Sequence, residues 1–157
     1  RYIIQPVEVM SMEASEHKAE IDRIVAMSYE YEKVLNELMK HKEAFYIILL
    51  RRGIVVKNSD AQEVYKKYLD WLHDNIMEMY KHKKYVDEAR RLERELDELE
   101  RMINSDVVDS KAVRFKLSDI ELSIEMFYFM KALRVFVEYL VMLFKKDVAP
   151  ARSSMEI

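Results

Sequence analysis

One glycine, Gly53, and two prolines, Pro6 and Pro150, are the only strong backbone breakers in a chain of 157 residues. A sheet protein of this length needs many tight turns. Such turns draw on glycine, proline, asparagine and aspartate at special dihedrals. So few breakers permit only two or three sharp reversals. The expected fold is all-α: three long helices in an elongated helical bundle, each well above the ordinary length of about 11–12 residues. Half of the residues are hydrophobic and 35% are charged, which excludes a disordered chain.

Residues 1–10 (RYIIQPVEVM) show no helical period, and Pro6 biases Gln5 towards an extended shape. They are expected to form an extended N-terminal arm, and they lack the basic-then-apolar order of a signal peptide. The helical bundle is expected over 11–146. Its first helix starts near Ser11 or Ser15, with Glu13, Glu16 and Glu20 suited to the positive helix end. Apolar positions Ile21, Ile24, Val25, Tyr31, Val34, Leu35, Leu38, Phe45, Ile48 and Leu49 recur in steps that burial of one helical face requires. Gly53 ends this helix. A β-hairpin of Ala44–Leu50 with Ile54–Val56 is the competing reading.

The second helix is expected from Ser59, with Gln62 completing a capping box, to Ile103. Its seam is Tyr65, Leu69, Leu72, Ile76, Met79, Val86, Ala89, Leu92, Leu96, Leu99 and Ile103, with a slip in register near Val86–Leu92. Asn104–Ser110 forms the second reversal, with Asp106, Asp109 or Ser110 as the next cap. The third helix runs to about Lys146, and 147–157 is a short C-terminal tail broken by Pro150. Each helix would hold about 35–45 residues.

The stretch Met126–Phe144 reads MFYFMKALRVFVEYLVMLF, and its only charges are Lys131, Arg134 and Glu138. At helical spacing these three fall within roughly 60° of arc, and Lys145 extends the same stripe. Three central charges, at about 2.5–3.5 kcal/mol each on an insertion scale, leave a membrane span marginal. A buried helix is the plainer reading, but helices meet along stripes, and two neighbours from the same chain cover only part of this circumference. The remainder would be a large exposed apolar patch, which monomers seldom carry. Another chain is therefore expected to cover it, through Phe127, Phe129, Met130, Leu133, Phe136, Val137, Leu140 and Phe144.

No catalytic constellation is visible, and the chain is expected not to be an enzyme. One glycine cannot build a phosphate-binding loop. The four histidines, His17, His41, His73 and His82, lack the Glu-x-x-His or His-x-x-x-His spacing of a helical metal site, so no metal or cofactor is expected. Cysteine is absent, which excludes disulfides and thiolate ligands.

Charge is distributed unevenly. Residues 33–94 carry fourteen cations and ten anions, although the whole chain is at −3. The candidate phosphate-binding cations are Lys40, Lys42, Arg51, Arg52, Lys66, Lys67, Lys81, Lys83, Lys84, Arg90, Arg91 and Arg94, with Tyr65, Tyr68, Trp71, Tyr80 and Tyr85 interleaved. Basic helix faces of this kind bind duplex phosphates without reading sequence. The alternative is a solvated face balanced by Asp70, Asp74, Glu78 and Asp87. Few amides beside abundant Lys, Arg and Glu also suit a thermophilic source.

An arm at Arg1–Met10, long helices joined by short reversals and a basic middle together give an architecture that resembles the major capsid proteins of filamentous archaeal viruses. The resemblance implies a bundle subunit of a virion nucleocapsid, alone or with a related second subunit, wrapping double-stranded DNA in a helical filament. A cytoplasmic coiled-coil adaptor, binding partner helices through the apolar third helix, is the rival reading.

Overall fold

The computed structural model describes the backbone of residues 4–52 and 59–156 and the side chains of residues 15–49 and 60–145. The chain is all-helical, with four α-helices and no strand among the described residues. They are α1 (Ile4–Arg52), α2 (Ser59–Tyr80), α3 (Val86–Ile103) and α4 (Ser110–Glu156). Ala44–Leu50 is helical, which removes the hairpin reading. Asp109 caps α4 as one of the three expected residues: its Oδ1 accepts the backbone N–H groups of Lys111 and Ala112 at 3.1 and 3.2 Å.

Three expectations are corrected. The extended arm is helical from Ile4, because Pro6 falls in the first turn, where a missing N–H leaves no bond unmade. The tail is helical as far as Glu156, with Pro150 inside α4, where a proline lacks the N–H for one backbone bond. The predicted middle helix is two helices. After Tyr80 the backbone turns at His82, which takes an extended conformation (φ −110°, ψ 115°), and a 3-10 turn over Lys83–Tyr85 leads into α3. Any L-residue can adopt those angles, so the reversal needs neither glycine nor proline. Lengths shift accordingly: α1 has 49 residues and α4 has 47, against 22 and 18 for α2 and α3.

Two compact units result: Lys33–Phe127, and Arg1–Glu32 with Tyr128–Ile157. The first is an up-down-up-down four-helix bundle, and its cross-helix pairs give the directions. Glu37 of α1 accepts the Trp71 indole N–H of α2 at 3.0 Å, while Phe45, further along α1, meets Tyr65, earlier in α2. Tyr80 donates to Glu93 across the α2–α3 turn. Lys116 of α4 pairs with Glu95 and Glu98 of α3 at 2.7 and 2.9 Å, and Asp119 pairs with Arg91 at 2.9 Å.

The bundle core follows the heptad steps of each helix. Ala89, Leu92, Leu96, Leu99 and Ile103 on α3 face Val113, Leu117, Ile120, Ile124 and Phe127 on α4, and all are buried. Leu72, Ile76 and Met79 of α2 are fully enclosed between them and α1. Deleting such a side chain loses its transfer energy and leaves a cavity. Leu92→Ala is expected to lower the unfolding free energy by about 2–5 kcal/mol in urea titration. Tyr65 contrasts with this core, because its buried hydroxyl has no hydrogen-bond partner among the described residues. Tyr65→Phe removes that unmet group and should raise stability by about 1 kcal/mol in the same assay.

Candidate assembly interface

The other unit pairs α1 up to Glu32 with α4 from Tyr128. The two run antiparallel: Lys131 meets Glu30 at 3.1 Å, and Glu138 meets Arg23 at 3.2 Å. His17 Nδ1 and the Tyr139 hydroxyl lie 3.1 Å apart, and the Tyr31 and Phe129 rings stand 5.8 Å apart. Arg134 adds a bond to Glu138 from within α4 at 3.3 Å. The charged stripe seen in the sequence thus closes one edge of the helix pair.

Among the described residues of this unit α4 has a single neighbour, so one seam is covered. Tyr128 and Val135 are buried, and Ala132 and Tyr139, at the same helical phase, are half-buried. The opposite side is open. Phe129, Met130, Leu133, Phe136, Val137, Leu140, Val141 and Phe144 are all exposed, from 37% at Met130 to 69% at Phe144. At 100° per residue these eight side chains occupy about 140° of arc, and no charged residue of Phe129–Phe144 falls within it. Seven of the eight predicted interface residues lie on this face. Phe127 does not: it is buried in the four-helix bundle, where its ring stands edge-on to Tyr85 at 4.9 Å and His82 at 5.2 Å.

Three α1 residues extend the apolar surface, and the sequence period assigns two of them, Ile21 and Val25, to the buried face. Ile21, Val25 and Tyr29 are exposed at 46%, 59% and 69%. Their steps of four place them on the edge away from the Arg23 and Glu30 ion pairs, the edge that Phe129 and Phe136 also occupy. That i, i+4, i+8 repeat, one position off the seam through Ile24, was the signal in the sequence.

The basic residues divide into internal and external groups. Lys42 reaches inward to Glu121 Oε2 at 3.2 Å, and the Tyr68 hydroxyl donates to the other oxygen of the same buried carboxylate. Arg91 is held by Glu88 at 2.7 Å, Asp119 at 2.9 Å and the Ser123 hydroxyl at 3.2 Å. Those two cations join helices of the bundle. Lys67, Lys81 and Arg90 form one-turn surface pairs with Glu63, Glu78 and Asp87, worth little in water. Lys40, Lys66, Lys83, Lys84 and Arg94 are exposed. The side chains of Arg51 and Arg52 lie outside the described residues.

Three of the four histidines, His17, His41 and His82, stand against aromatic rings. His41 lies against Tyr68 and Trp71, and burial lowers its pKa despite the nearby Glu37. No group of three potential metal ligands occurs among the described residues. Among those residues no helix is long and apolar enough to cross a membrane. Comparison with protein-family models, curated proteins and solved structures finds no match.

The Glu121 cluster makes stability depend on pH. Burial pushes the Glu121 carboxyl up from 4.5, overcoming the Tyr68 hydrogen bond and the Lys42 charge. A raised acid favours the folded state when protonated, so this contribution is complete below the ordinary value and fades as pH rises through the folded one. In urea titrations from pH 4 to 8, wild type should lose stability relative to Glu121→Gln as pH rises. A constant difference would show that the carboxyl does not titrate in this way.

Proposed function

We propose that this chain is a structural subunit of a helical assembly, and that the uncharged face of α4 joins it to neighbouring subunits. The observation that carries this reading is the eight large apolar side chains left open within one arc of α4. Their exposed area, with Ile21, Val25 and Tyr29, is on the order of 1,000 Å², above what a monomer ordinarily presents as one patch. Among the described residues no polar constellation competes for the role: the buried Glu121 and Tyr68 and the half-buried Lys42 satisfy one another. In its fuller form the assembly is a virus-like nucleocapsid filament around double-stranded DNA. Among the described candidates Lys40, Lys66, Lys83, Lys84 and Arg94 are exposed to phosphates, and Lys42 and Arg91 are reserved for the bundle.

Phe136→Ser with Leu140→Ser should break the assembled protein into smaller species of unchanged helicity, followed by light scattering and circular dichroism. Wild type that stays monomeric at high concentration would end the assembly reading. For DNA, binding of a duplex at several salt concentrations should weaken when Lys66, Lys83, Lys84 and Arg94 become Ser, with a shallower salt slope of about 0.9 per lost contact. Unaltered binding and slope would leave an assembly subunit with no part in DNA packaging.

A further inference from the structure

Six of the eight residues of the open face of α4 form a symmetric stripe, Phe129, Leu133, Phe136, Val137, Leu140 and Phe144, with Met130 and Val141 along one edge of it. The steps are four, three, one, three and four, the same in both directions. Phenylalanine stands at both ends and leucine inside each; only the central Phe136 and Val137 differ. In an isologous contact residue i meets residue j while j meets i, so positions spaced alike in both directions suit one.

We propose that the occupant of this face is the same face of a second copy of this chain, with the two α4 helices antiparallel about a two-fold axis between Phe136 and Val137. This rests on the assembly reading above and names its first partner. In that register Phe129 of one copy meets Phe144 of the other at both ends. Leu133 meets Leu140 on either side of the axis, and each Phe136 ring lies over the smaller Val137. Large against small at the centre is how facing layers interdigitate.

Area and charge agree with this occupant. The six residues of this stripe expose on the order of 500 Å² per copy, so the contact buries about 1,000 Å² in all, the size at which a specific interface begins. The arc carries no charge, so a highly charged partner would find nothing to pair with, whereas a second uncharged arc loses no ion solvation on contact. Lys131, Arg134 and Glu138 lie outside it with partners already in place, so pairing leaves the α1–α4 ion pairs intact.

The absence of cysteine permits a direct test. Leu133→Cys and Leu140→Cys proteins are oxidised separately and as an equilibrated mixture, then resolved without reductant. The mixture should give a covalent dimer. Each variant alone should not, because identical positions would stand seven residues apart along the axis, about 10 Å, beyond disulfide reach. Cross-linking of Leu133→Cys with itself would overturn the antiparallel register. Failure of the mixture to cross-link, in protein that still assembles, would overturn the second-copy occupant while the assembly reading stands. A second measurement uses Val137→Arg, which sets two cations side by side at the axis. It should weaken dimerisation roughly 100-fold or more in sedimentation, and an unchanged constant would overturn the proposal.

Discussion

Two helices in contact bury one stripe each, and the rest of either circumference must find another cover or face water. This limit governs the whole molecule. In the Lys33–Phe127 unit four helices surround a common core, and a helix such as α3 needs only one apolar seam with charges elsewhere. In the paired-helix unit α4 is apolar over much more of its surface, yet α1 covers only the seam through Tyr128 and Val135. The same helix therefore behaves as core in one unit and as unfinished surface in the other.

Much of the fold is legible in the residues because burial imposes period. The seam Ala89, Leu92, Leu96, Leu99 and Ile103 is recoverable residue by residue, and the open face of Phe129–Phe144 follows from counting its charges. The fold-back at His82 is legible only in hindsight. Glycine and proline mark reversals that need unusual dihedrals, and His82 needs none. Its sign lay in charge order: Lys81, Lys83 and Lys84 follow α2, while Asp87 and Glu88 occupy the first turn of α3, each suited to its helix end. The slip in the seam near Val86–Leu92 marked the same break.

Pro6 and Pro150 misled for a related reason. Proline restricts φ to a value that helices share, so its effect depends on which backbone bond it removes, and position within the helix decides that. Basic clusters were the least legible feature. Sequence adjacency grouped Lys42 with Lys40 and Arg91 with Arg90, yet in each pair one side chain turns inward to the bundle and the other outward. Successive residues of a helix stand about 100° apart, so a cluster in sequence is divided between core and solvent as soon as the helix forms.

The reversible spacing of the α4 face bears on how any larger structure grows. A surface that matches itself is consumed by a single partner: two copies close it, and no third can add there. Such a contact ends growth and cannot propagate a chain, so open-ended extension needs a head-to-tail surface elsewhere on the subunit. On α4 itself, Phe115 and Leu122 stand exposed in the other compact unit, outside the self-matching stretch. In the proposed assembly the building block for elongation is then the couple, with its greasiest side already spent.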